Sequence, residues 1–73
     1  MEKEILLKFG NALKKARLAK GLSQEKLAEA TNFDRTYISF LERGKRNPSL
    51  LCLASLCQVL EIKLSELFQE IES

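Results

Sequence analysis

The sequence predicts an all-α protein: one small domain, residues 1–73, built from five helices and no strand. Three observations carry this reading. Apolar residues recur at three- and four-residue spacing along nearly the whole chain, which is the period of a helix and not the alternation of a strand. One proline and three glycines leave few interruptions. The breaks that do occur coincide with residues that cap helices. At 45% hydrophobic, the chain can build a core, but a modest one, so a second subunit covering leftover apolar surface would help.

Each element follows in order. Ile5, Leu6, Phe9, Leu13 and Ala16 form the inward stripe of the first helix, with lysines on the other face. Gly21 ends it by supplying the left-handed residue that a helix C-terminus favours. Ser23 is the N-cap of the second helix, although Lys26 stands where a reciprocal Glu or Gln would complete a capping box. Leu27 and Ala28 face inward, and after two turns Asn32 is the residue best able to take positive φ in place of glycine. Asp34 caps the third helix, with Ile38 and Leu41 as its buried pair.

Gly44 stops the third helix, and Lys45-Arg46-Asn47-Pro48 is a basic turn. Pro48-Ser49 opens the fourth, whose Leu50, Leu53, Leu56 and Leu60 are expected on one buried stripe. A fifth short helix runs from about Leu64 to Ile71, behind the poor capping residues Lys63 and Leu64.

Composition narrows the chemistry. The chain has no histidine, hence no usual general base for Ser- or Cys-based catalysis. Cys52 and Cys57 lie five residues apart on one helix and would point about 140° away from each other, which disfavours a disulfide. No clustered set of Cys, His, Asp or Glu has the roughly four ligands of a zinc site. Neither an enzyme nor a cofactor or metal site is expected. The charged start Met1-Glu2-Lys3-Glu4 and the lack of a long apolar run predict no signal peptide and no membrane span, hence a cytoplasmic protein. The net charge of +2 hides an asymmetry: residues 11–50 carry +5 and residues 51–73 carry −3. A basic body with an acidic tail suits a polyanion on one side.

Residues 23–43 have the proportions of a helix-turn-helix, in which a short helix braces a second one that fits the major groove. Projection at about 100° per residue tests the third helix. With Ile38 at zero, Leu41 falls at about −60°, while Arg35, Ser39, Arg43, Thr36 and Phe40 fan from about 60° to about 200°. The outward face therefore carries two arginines, two hydroxyls and one aromatic ring. Arginine can clasp guanine O6 and N7, hydroxyls serve several partners, and phenylalanine can pack on a thymine methyl.

Gly21-Leu22-Ser23-Gln24, Leu27-Ala28, Tyr37-Ile38-Ser39, Leu41-Glu42-Arg43-Gly44 and Arg46-Asn47-Pro48-Ser49, in that order, resemble the Cro/XRE-type helix-turn-helix family of phage and bacterial repressors. The likeness spans roughly residues 9–68. Asp34-Arg35-Thr36-Tyr37-Ile38-Ser39 followed by Glu42-Arg43 is most similar to the controller proteins of restriction-modification systems. The resemblance implies a five-helix, lambda-repressor-like fold and a sequence-specific transcription regulator that binds DNA. It implies base contacts from Arg35, Thr36 and Ser39, with Arg46 also able to reach a base, and the projected face adds Phe40. It implies phosphate contacts from Gln24, Tyr37, Arg46 and Asn47, to which the basic face and turn add Arg43 and Lys45. Arg17 and Glu42 match a buried ion pair joining helix one to helix three.

Three departures from the family pattern stand out. Phe40 replaces a polar residue or glycine, and is either a thymine-methyl contact or an apolar spot facing solvent. Asn32 and Glu61 stand where glycine is common. Leu51 and Cys52 stand where polar residues are usual, and Cys52 is either an incidental thiol or a redox sensor.

Leu64, Leu67, Phe68 and Ile71, with Ile62, exceed what one small core easily covers, so a two-fold interface is expected over about residues 60–73. A homodimer would set two recognition helices about 34 Å apart and call for a palindromic operator on double-stranded DNA. RNA polymerase is then the further partner that operator occupancy would exclude or recruit. The alternatives are a general phage-like repressor or an interaction protein, such as the antitoxin of a toxin–antitoxin pair. Antitoxins of this fold usually add a toxin-holding segment, and none is expected after the last helix.

Overall fold

The computed structural model describes residues 2–73, which form five helices and no strand: α1 Glu2–Ala19, α2 Gln24–Thr31, α3 Arg35–Glu42, α4 Leu50–Leu60 and α5 Leu64–Glu72. No helix among these residues is long and apolar enough to cross a membrane. The starts are set by short polar side chains. Ser23 Oγ accepts from Lys26 N at 3.0 Å, Asp34 Oδ1 from Thr36 N at 2.8 Å and Ser49 Oγ from Cys52 N at 3.1 Å. Each satisfies one orphan donor of its helix's first turn. α5 lacks such a residue, and Glu66 compensates by accepting from Lys63 N at 2.8 Å. A lysine ammonium cannot accept in return, so this is half of a capping box.

The first four helices end alike. A left-handed residue follows each: Gly21, Asn32, Gly44 and Glu61, with φ of 78°, 63°, 71° and 57°. The next amide then reaches back five residues, from Leu22 N to Arg17 O, Phe33 N to Ala28 O, Lys45 N to Phe40 O and Ile62 N to Cys57 O. Repeated four times, this closure makes every connection tight. Glu61 is the costly member, because a long side chain disfavours this region; its carboxylate pairs with Lys20, the residue that follows α1.

α1 packs on α3 and α5, α2 on α3 and α4, and α4 on α5. Leu13, Leu27, Ile38, Leu41 and Leu56 are fully buried at the centre, with Phe9, Ala28, Cys52, Cys57, Leu60, Leu67 and Ile71 around them. Two expectations fail here. Leu50 is 68% exposed, because it sits in the first turn of α4 at the edge of the bundle; Cys52 and Cys57 fill the core beside Leu56 and Leu60 instead. Ile5, four residues before Phe9, is also exposed, at an open recess that it shares with Leu53, Phe68 and Ile71.

Gly10 explains how α1 lies so close to α3. A Cβ at this position would overlap the Glu42 carbonyl oxygen and stand 2.8 Å from that of Leu41. These are backbone atoms, which cannot swing aside as a side-chain tip could. Gly10→Ala should therefore destabilise the fold by about 1–3 kcal/mol through overpacking, even though alanine is the better helix former by about 1 kcal/mol. Thermal unfolding followed by circular dichroism checks this; an unchanged or raised Tm would show that the helices separate freely.

Candidate nucleic-acid interface

The third helix presents two faces. Ile38, Leu41 and Glu42 are buried against α1 and α2, which leaves Arg35, Thr36 and Arg43 exposed and Ser39 and Phe40 half-buried on the other side. Lys45, Arg46 and Asn47 continue the exposed surface beyond Gly44. The N-termini of α2 and α3 meet at an open recess lined by Ser23, Gln24, Glu25 and Arg35. Gln24 and Arg35 thus share one side of the molecule. The Arg43 guanidinium lies 5.0 Å from the centre of the Phe40 ring, so the half-buried aromatic is partly roofed by a cation.

Behind this face sits the ion pair that holds it. Arg17 Nε donates to Glu42 Oε2 at 2.6 Å and Nη2 to Oε1 at 3.1 Å, while Nη1 donates to the Leu22 carbonyl at 2.8 Å. Glu42 Oε1 also accepts from Gln24 Nε2 at 3.1 Å. One guanidinium and one carboxylate therefore tie together α1, the turn before α2, α2 itself and α3. Both side chains are almost wholly removed from solvent. No buried side-chain nitrogen or oxygen among the described residues lacks a partner.

The bond from Gln24 bears on its expected phosphate role. Its amide nitrogen has two protons and gives one to Glu42, so one remains for an outside acceptor. Tyr37 departs further from expectation. Its hydroxyl turns inward and donates to Cys52 Sγ at 3.5 Å, and Phe33 packs edge-on against its ring at 5.6 Å. The Arg46 guanidinium covers the same ring at 5.5 Å. Burial first, and then the contact with Cys52, push the Tyr37 phenol above its ordinary pKa, against an opposing pull from Arg46. Burial likewise pushes up both free thiols: Cys52, where the Tyr37 bond partly counters it, and Cys57, where Glu66 adds to it. A thiol held in its neutral form is a poor nucleophile, which weighs against a redox sensor at Cys52.

The C-terminal residues divide. Leu67 and Ile71, expected at a subunit interface, are core residues of the single chain, with Leu67 only 3% exposed. The physical reason is the docking of α5 on α1 and α4, which consumes one apolar face of the helix. Ile62 and Leu64 are half-buried against the same core, and Phe68 is 40% exposed. Phe68 borders an apolar recess with Ile5, Leu53 and Pro48, and Asn47 of the basic turn lies on its rim. Leu51, the apolar residue standing where polar ones are usual, is at 81% the most exposed of the large apolar side chains described.

A short bracing helix, a tight turn and a helix with an arginine-and-hydroxyl face define the DNA-binding helix-turn-helix class. Comparison with known proteins carries the assignment further. The Helix-turn-helix family model matches residues 13–67. The chain belongs to the Cro/XRE-type helix-turn-helix family of DNA-binding transcription regulators. It is 51% identical over 70 residues to Control protein C.MunI from Mycoplasma sp, covering 94% of this chain and 95% of that protein. It is 41% identical over 68 residues to Control protein C.BamHI from Bacillus amyloliquefaciens, covering 92% and 84%. Among solved structures, the restriction-modification controller protein C.AhdI from Aeromonas hydrophila superposes with a TM-score of 0.83 at 49% identity, covering 86% of this chain and 96% of that one.

The buried pair yields a stability test. Arg17→Ala should cost about 3–5 kcal/mol in urea unfolding, because Glu42 would be left charged and buried. The double change Arg17→Met with Glu42→Leu should cost less than that single change, since it strands no charge. A loss below about 1 kcal/mol for Arg17→Ala would show that the carboxylate finds other compensation.

Proposed function

We propose that this protein is a restriction-modification controller: a homodimer that binds a palindromic operator, tunes its own gene and so times the expression of its system. The observation that supports this most is the outward face of α3, with Arg35 and Thr36 exposed at its first turn and the basic turn Lys45-Arg46-Asn47 beside it. The relatives named as control proteins match over nearly their whole length, which supports the same reading. In this reading Arg35 and Thr36 read base edges, with Ser39, Phe40 and Arg46 as further base contacts. Gln24, Arg43, Lys45 and Asn47 hold phosphates and set the register. Phe40 meets a thymine methyl with its free edge. Operator occupancy excludes or recruits RNA polymerase.

The dimer forms around Phe68, with Leu64 and Ile62 beside it and the recess bounded by Ile5, Leu53 and Pro48 as the complementary surface. A specific interface needs about 600–1,000 Å² from each partner, more than one ring supplies. The start of α1, the rim of α4 and the outer side of α5 therefore all contribute.

Two measurements test the proposal. In gel-shift titrations at two salt concentrations, Arg35→Ala should lose about 1–3 kcal/mol on the cognate operator and far less on random DNA. Lys45→Ala should weaken both alike and reduce the salt slope by about one unit. Equal losses on all sequences for Arg35→Ala would remove it from the base readers. In sedimentation velocity, Phe68→Glu should convert dimer to monomer and weaken operator binding by at least about tenfold, while keeping the helical circular dichroism signal. A wild-type protein that stays monomeric when it occupies its operator would overturn the dimer.

A further inference from the structure

Tyr37 lies on the recognition helix, yet nothing in its geometry aims it at DNA. Its hydroxyl has one proton to donate, and Cys52 Sγ on α4 lies within hydrogen-bond distance of it, 3.5 Å away. A phosphate is an acceptor only, so the phenol cannot give the same proton to DNA while this bond stands. The ring is held at two further points, by the edge-on contact with Phe33 of the turn before α3 and by Arg46 of the turn after it. Cys52 is itself almost fully buried and has no route to DNA.

Arg46 is the free end of this chain of contacts. It is exposed, in a turn bounded by the left-handed Gly44 and by Pro48, and no carboxylate is paired with it among the described residues. A long, exposed arginine loses conformational freedom when it is fixed on a nucleic acid. A flat aromatic face beneath the guanidinium removes part of that loss beforehand, because stacking selects a few of its rotamers while leaving the outer N–H groups free.

We propose that Tyr37 and Cys52 are positioning residues: Cys52 anchors the Tyr37 hydroxyl, and the anchored ring presents Arg46 to the DNA. This rests on the reading of Arg46 as a DNA contact. The role of Tyr37 is thus exercised through Arg46 and not through a phosphate of its own. It also gives Cys52 a task that neither a redox switch nor simple packing supplies.

Two readouts test the proposal. The first uses the free protein. Tyr37 is the single tyrosine and there is no tryptophan, so tyrosinate absorbance reports this residue alone. Cys52→Ala should move its titration down toward the ordinary phenol value, and Arg46→Ala should move it further up. Cys52→Ser, whose hydroxyl can also accept, should keep most of the wild-type behaviour.

The second readout is operator binding by the full-length protein. Tyr37→Phe and Cys52→Ala should each weaken it by about two- to tenfold, the range of one hydrogen bond, and together by no more than either alone. On an Arg46→Ala background neither should have any further effect.

Each contrary result has its own meaning. A titration unmoved by Cys52→Ala overturns the anchor. A shifted titration with Arg46→Ala binding the operator like wild type overturns the DNA reading of Arg46, and the proposal falls with it. A full loss for Tyr37→Phe on the Arg46→Ala background shows that Tyr37 meets DNA directly. Lowered Tm for Cys52→Ala with unchanged affinity reduces the thiol to packing.

Discussion

The arrangement of the recognition surface depends on one buried ion pair. Arg17 comes from the last turn of α1 and Glu42 from the last residue of α3, and their bidentate contact crosses the middle of the molecule. A third donor of Arg17 goes to the Leu22 carbonyl, and Glu42 Oε1 also accepts from Gln24. A buried pair of this kind is not a large net source of stability, because desolvation offsets much of the attraction. Its effect is geometric. Two charges that cannot be left alone in a core permit few relative placements of the four segments that satisfy them. Gly10 acts on the same junction from the other side, by letting α1 approach the backbone at Leu41 and Glu42 with no side chain between.

From that junction the outer face follows. With Ile38, Leu41 and Glu42 committed inward, the helical period leaves Arg35, Thr36, Ser39, Phe40 and Arg43 on the opposite side. The tight closures after α2 and α3 prevent the helix from rotating away from this setting. Within these five helices, the contacts that build the core are the same ones that hold the outward face of α3. The basic turn after α3 is steadied by different means, through Gly44, Pro48 and the Arg46–Tyr37 stack.

Much of this was legible in the chain because helix signals are local. Ser23, Asp34 and Ser49 act on amides two or three residues away, and Gly21, Asn32 and Gly44 act on the turn they terminate. Such contacts need no knowledge of the rest of the molecule. The inward pair of α3 and the exposed arginines came from the helical period alone. Leu50, Leu67 and Ile71 were misjudged for the converse reason. Being apolar says that a side chain favours burial, but which neighbouring helix covers it depends on how long each helix is and where it ends. Leu50 begins a helix at the bundle's edge and finds little cover; Leu67 and Ile71 lie where α5 meets α1 and α4 and are buried.

The sequence by itself therefore determined the helices, their capping residues, the family and the residue types on the outward face of α3, because each rests on spacing and on chemistry within a few positions. Tertiary structure alone decided that Gly10 is a contact point, that Tyr37 turns toward Cys52, and that α5 leaves Phe68 as its exposed aromatic. These join residues far apart in the chain. Their partners are chosen by the packing of whole helices, which no short window of sequence contains.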